Sequence, residues 1–289
     1  MERVLTVGLD GSPEGLAAAR WAADEAERRK LTLRLLHAWP LLVPEPTRIP
    51  AEVDQNYWAK RLMHNAQAEL QARHPGLTVV GNLVADDAQN ALLQAASESE
   101  MLGSRGLTPV ESYFLGDISM SVTARAERPV VLVRADQRKE GHTPESGATG
   151  DVVVVLKLHG PCDELLEFAF TTAAARGVPV RAVHGRSLPI HAYAPWGVDH
   201  TVTQEERQDA QKGLSQALRP WREKFPGVVV ADTIRLDSPA RVVVAAAAGA
   251  ELLIVGRRKH HPPLAPRLGP VAQAGAHHAR CPVAVVPHD

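Results

Sequence analysis

The chain has 289 residues, enough for two domains of ordinary size, and its 45 % hydrophobic and 22 % charged residues describe globular units with real cores. A formal net charge of -1, the absence of a long basic run and only 4 % aromatics argue against nucleic acid as a partner. Cys162 and Cys281 are too few for a disulfide framework and fit a reducing compartment. The start, "MERVLTVGLDGSPEG", reaches a charge and a turn too soon for a secretory signal. The longest apolar stretch, "VVVAAAAGAELLIVG", is broken by Glu251 and is too short to span a bilayer. A cytoplasmic protein with no membrane segment is the expectation.

In chain order, Val4 to Leu9 is a continuous apolar run suited to a strand buried on both faces. Ser12 is placed to cap the next helix with Pro13 at its first position, and Leu16, Ala19, Ala23 and Ala26 then recur at helical spacing. "LTLRLLH" reads as the second strand, Ala51 to Arg73 as a helix and "LTVVGNLV" as the third strand. A helix over about Asp87 to Ser97, a short strand into Gly103, a helix from about Asp117 and the strand "PVVLV" complete the first half. Strands alternating with helices predict an α/β fold: an open, twisted, parallel sheet with helices on both faces.

The second half repeats the first. Gly103, Gly116 and Pro129 map onto Gly256, Gly269 and Pro282 by one offset of 153 residues, and Pro75-Gly76 answers Pro226-Gly227 at 151. The polar stretch "ADQRKEGHTPESGATG" between them has linker composition. We expect a tandem duplication with domains over 1–136 and 150–289, joined by a linker over 137–149. Each would hold one five-stranded sheet. Both halves end in apolar strands, "RPVVLVRA" and "CPVAVVPHD". An uncovered apolar edge is a liability, so pairing of the halves or a homo-oligomer is expected.

Ligands on such sheets sit beyond the carboxyl ends of the strands, where the strand order reverses. Asp10 and Gly103 both fall at predicted strand ends. In "GSRGLTPVESYFLGDIS" the three glycines suit either an ordinary strand-to-helix turn or a loop whose backbone N–H groups cradle a phosphate.

"VGLDGSPEG", "LHAW" and the G-x2-G-x9-G pattern ahead of "RPVVLV" resemble the universal stress protein family, once per half. The resemblance implies a five-stranded parallel sheet in each half, a regulatory role in stress response exerted through a protein partner, and dimers that use the last strand. In the nucleotide-binding branch it implies ATP or another adenine nucleotide at the switch point. Carried over residue by residue, Asp10 contacts the adenosine end and the backbone at Ala38 meets the adenine edge. Gly103 and Gly106 are the loop glycines beside ribose and phosphates, and Arg105 adds charge. Gly116 with the N–H groups of Asp117 and Ile118 forms the phosphate-binding helix start.

The first half departs from the pattern at Asp117, where the family has Ser or Thr. A carboxylate about 4 Å from a phosphate costs one to several kcal/mol, and Ser119 is the nearby substitute hydroxyl. "ESEML" sets Ser99 and Glu100 where "LLIV" stands in the second half, which predicts a distorted pocket floor. The second half departs further: Lys157 replaces Asp10, Lys259 the second loop glycine, and Pro270 removes an N–H at the helix start. Nucleotide is therefore expected in the first half only. His260, His261, His277, His278 and Cys281 lack the spacing of a metal site, and no metal is expected. Cys162 is expected as a plain turn residue in "HGPCDE" near a helix N-terminus, with a lowered pKa and a redox role left open. No nucleophile, base and stabiliser occur together, so an enzyme is not the leading reading. A scaffold with both pockets lost and an adenylyl-transferring enzyme of the wider fold group stay open as alternatives.

Overall fold

The computed structural model describes residues 3–39, 55–106, 118–134, 150–158, 160–194, 197–260 and 267–289. The chain divides into two compact units, Met1–Lys139 and Glu140–Asp289.

Unit 1 runs β1 (Val4–Gly8), α1 (Pro13–Arg29), β2 (Thr32–Ala38), α2 (Gln55–Arg73), β3 (Val79–Val84), α3 (Ala88–Ser97), β4 (Met101–Arg105), α4 (Ile118–Arg125) and β5 (Val130–Val133). Its strands are all parallel in the order β5-β4-β1-β2-β3. The centre is dry: Leu5, Val7, Leu33 and Leu35 are fully buried, and each such side chain contributes roughly 2 kcal/mol. Helix α1 forms as its sequence dictates. The Ser12 hydroxyl accepts from the Gly15 N–H, Pro13 occupies the first turn, and Lys30 closes the helix at φ 55°.

Unit 2 follows the same plan: β6 (Val152–Val155), α5 (Asp163–Arg176), β7 (Val180–Gly185), a short antiparallel pair β8 (Tyr193–Ala194) and β9 (Gly197–Val198), α6 (His200–Lys224), β10 (Val230–Arg235), α7 (Pro239–Ala246), β11 (Leu252–Arg258), α8 (Pro270–His278) and β12 (Val283–His288). Its parallel sheet has the order β10-β7-β6-β11-β12. Val152, Val153 and Val154 are fully buried, as a strand covered on both faces requires. Phe170, Trp221 and Phe225 pack as an aromatic cluster with ring centroids 5.6–6.3 Å apart.

The registers correct the sequence alignment of the two halves. Leu102 lies opposite Val130, and Leu253 opposite Val283. Leu5 lies opposite Met101, and Val152 opposite Leu252. Strand β4 therefore matches β11 at an offset of 151, not the 153 that the glycines suggest. Gly103 is level with Ile254, Arg105 with Gly256, and Gly106 with Arg257. Lys259 lies two residues beyond the level of Gly106.

The distorted pocket floor is also overturned. Ser99 and Glu100 precede β4 and lie at the opposite end of the sheet from the strand exits. Ser99 is buried but satisfied: its hydroxyl bonds Thr6 Oγ1 at 2.7 Å and donates to the Ala95 carbonyl at 2.7 Å. Arg34 binds the same group, donating to Thr6 Oγ1 at 2.8 Å, to Ser99 Oγ at 3.1 Å and to the Ala95 carbonyl at 3.2 Å. Glu100 pairs with Arg3 at the surface. The corresponding arginine of unit 2, Arg181, holds the buried Asp151 carboxylate at 2.6 and 3.2 Å and the Ala246 carbonyl at 3.0 Å.

Candidate functional site

In unit 1 the strand order reverses between β1 and β4, so a crevice opens where their carboxyl ends diverge. Asp10 follows β1 and Arg105 ends β4, and the two meet across this point: Arg105 Nε lies 3.1 Å from Asp10 Oδ2. The pair stays in contact with solvent, with the Asp10 side chain 44 % and that of Arg105 29 % exposed. The other oxygen, Oδ1, accepts from the Ser12 N–H at 2.9 Å and from the Ser12 hydroxyl at 2.5 Å. Asp10 is thus fixed to the start of α1. Two glycines permit this. Gly11 turns at φ +84°, and a Cβ on Gly15 would lie 2.5 Å from Asp10 Oδ1.

Beside β1, the His37 Nδ1–H donates to the Leu9 carbonyl at 2.7 Å, the residue before Asp10. A carbonyl only accepts, so this contact assigns the ring hydrogen to Nδ1. Ala38 ends β2 opposite Val84 and packs with Leu36, Ala91 and Ala95 on the α3 side. Trp39 continues the ladder, its N–H donating to the Val84 carbonyl at 3.0 Å. Its indole Nε1 is buried and meets no acceptor among the described residues, a feature that sequence reasoning missed.

The remaining expected residues scatter. Gly103 is not in a loop: it lies inside β4, buried, with a would-be Cβ 3.2 Å from Val7 Cγ2 and 3.6 Å from Ala22 Cβ. Its small size serves packing against β1 and α1. Gly106 follows the strand, its N–H donating to the Val133 carbonyl at 2.6 Å, and a Cβ there would lie 2.8 Å from Arg134 Cγ. Ile118 opens α4 and is 42 % exposed. Ser119 is buried at 4 % exposure; its hydroxyl accepts from Ser104 at 2.9 Å and its carbonyl from Thr123 at 2.6 Å. Gly116 and Asp117 lie outside the described residues.

The same place in unit 2 is built differently. Lys157 follows β6, and His184 Nδ1–H donates to the Leu156 carbonyl at 2.9 Å, repeating the His37 contact. Lys259 Nζ lies 3.3 Å from Glu164 Oε1 in the first turn of α5 and 3.5 Å from Asp289 Oδ2. A Cβ on Gly256 would lie 2.6 Å from the His288 ring, so that glycine packs against its own neighbour strand. Gly269 and Pro270 begin α8 without a side-chain cap. At the position of Trp39 stands Arg186, whose Nε lies 2.7 Å from Glu206 Oε2.

The alternative of a lowered Cys162 pKa is corrected. Cys162 is the N-cap of α5, yet its thiol is pushed up, first by burial and then by the charges of Asp163 and Glu164. Burial pushes the Cys281 thiol up to about 12. Among the described residues no three His, Cys, Asp or Glu side chains converge as a metal site needs, and no helix is long and apolar enough to cross a membrane.

Two doubly wound α/β units in tandem, each with a charged residue at the strand-order reversal, define the class of protein. The model of the universal stress protein family matches residues 1–134 and 149–287. The chain belongs to that family. It is 31 % identical over 298 residues to universal stress protein Rv2005c of Mycobacterium tuberculosis, covering 97 % of this chain and 96 % of the relative. Universal stress protein Rv2623 of the same organism is 28 % identical over 251 residues, covering 83 % and 81 %. The crystal structure of a universal stress protein from Archaeoglobus fulgidus DSM 4304 superposes with a TM-score of 0.63 at 16 % identity, covering 99 % and 98 %, and shows the shared fold.

Proposed function

We propose that this protein is a stress-response regulator that binds ATP or another adenine nucleotide in unit 1 and acts through a protein partner. The observation that carries the reading is the Asp10–Arg105 pair across the reversal between β1 and β4. It sets an acceptor and a cation side by side at the place where this fold binds ligands: the carboxylate suits the hydroxyl and amino groups of adenosine, and the guanidinium suits phosphate. Gly116, Asp117, Ile118 and Ser119 would complete the phosphate end, with the Asp117 carboxylate opposing it. In unit 2, Lys157 reverses the charge and Lys259 is held by Glu164 and Asp289, so we place no adenine nucleotide there.

The test is to denature the purified full chain, identify any released nucleotide, and titrate the stripped protein with ATP. The expected stoichiometry is one per chain. Two per chain would overturn the asymmetry, and none would overturn the reading. A scaffold without nucleotide is the second reading, and one observation favours it: Asp10 is already satisfied by Ser12 and Arg105, and the Ser119 hydroxyl by Ser104.

A further inference from the structure

Every buried donor without an acceptor calls for a physical explanation, because its desolvation is uncompensated. Trp39 Nε1 is such a donor, and its position makes it informative. Side chains alternate along β2, so Leu33, Leu35, His37 and Trp39 share one face while Leu36 and Ala38 share the other with α3. On the first face His37 already grips the carbonyl next to Asp10. Trp39 lies one alternation further out, beyond the last β2–β3 pair. On unit 1's exit, Leu62 of α2 also approaches Gly11, within 3.7 Å of where its Cβ would stand. By alternation Trp39 follows β2 on the face where His37 meets the strand exit that carries Asp10.

Unit 2 places a different side chain at the matched position. Arg186 matches Trp39 in register, since the backbone N–H groups of Trp39 and Arg186 donate to the matched carbonyls of Val84 and Arg235. Arg186 stands there in an ion pair with Glu206, Nε to Oε2 2.7 Å. Unit 1 keeps a neutral donor here that meets no acceptor among the described residues.

We propose that the Trp39 indole N–H is a ligand contact of unit 1, donating to an acceptor atom on the nucleoside part of the bound molecule. This rests on the nucleotide reading above. The nucleoside end follows from the sheet order β4-β1-β2: Arg105 lies on one side of Asp10 and Trp39 on the other, so a ligand whose phosphates turn toward Arg105 presents its base and sugar to Trp39.

The test compares adenosine and ATP binding to the full chain and to Trp39→Phe. Phenylalanine keeps an aromatic ring and removes the N–H. Affinity for both ligands is expected to fall about five- to tenfold, the worth of one neutral hydrogen bond. The ligand-free variant is expected to unfold at the same or higher denaturant concentration, since an uncompensated donor has gone. If phenylalanine loosens the fold, the benzothiophene isostere of Trp39, which keeps the shape and lacks only the N–H, must reproduce the loss. Unchanged affinity for both ligands, with wild type binding normally, overturns the assignment to Trp39 alone. Loss for ATP without loss for adenosine overturns the nucleoside end. Failure of wild type to bind either ligand overturns the nucleotide reading, and this inference with it.

Discussion

The strand exits of the two units share a backbone plan and differ in charge. In unit 1 an acid after β1 faces a cation from β4; in unit 2 a lysine follows β6 and a second lysine is tied to Glu164 and Asp289. The histidine holding the preceding carbonyl is the same in both. The difference teaches that the sheet fixes where the exits stand, while a few side chains beyond it decide what each exit can meet.

The largest expected effect comes from exchanging residues at the level where the strands disagree. Ile254→Gly gives β11 the residue that β4 carries as Gly103. It removes a fully buried side chain and should cost about 4 kcal/mol, read from the denaturant midpoint of the full chain. The reverse exchange, Gly103→Ile, should also destabilise, because a bare Cβ already lies 3.2 Å from Val7 Cγ2. Neutral outcomes for both would break the register comparison.

A smaller effect separates the two matched arginines. Arg181→Ala leaves the Asp151 carboxylate, 4 % exposed, without its cation and should cost about 3 kcal/mol. Arg34→Ala leaves Thr6 and Ser99 bonded to each other and should cost about 1–2 kcal/mol. Equal losses in chemical denaturation would show that the two arginines face equivalent surroundings.

The smallest effect concerns the helices that follow the exits. Ser12→Ala removes the cap of α1 and should cost about 1 kcal/mol. Cys162, the N-cap of α5, makes no side-chain cap bond, so Cys162→Ser should stabilise by about 0.5 kcal/mol. Thermal unfolding of the two variants should shift in opposite directions.

Much of the fold was legible because its signals are local. Ser12 and Pro13 mark the start of α1 by their own chemistry, and the apolar run before Asp10 marks a buried strand. The repeat was legible from matched glycines and prolines, yet the same glycines misplaced β4. Register is set by hydrogen bonding to β1 and β5, and a two-residue difference between strand and turn leaves the motif spacing unchanged. Gly103 looked like a loop residue because its packing partners, Val7 and Ala22, are distant in sequence. Asp10 and Arg105 were each visible as candidates, but their contact across the crevice was not. Trp39 was visible only as the last residue of "LHAW", and nothing in the sequence marked its indole N–H as unpaired. Cys162 misled because a helix terminus is visible in sequence and burial is not.

The arginines beneath the sheets carry a wider consequence. Arg34 and Arg181 each reach a carbonyl in the last turn of the helix that follows the neighbouring strand, Ala95 in α3 and Ala246 in α7, at the end of the sheet away from the strand exits. A cation there also suits the negative end of the helix dipole. The anchoring of strand to helix is thereby separated in space from the residues that meet a ligand. After duplication, such a layout lets one copy exchange an acid for a lysine at its exit and keep its foundation. Divergence of the two halves is then a matter of rewriting rims, with the footing inherited intact.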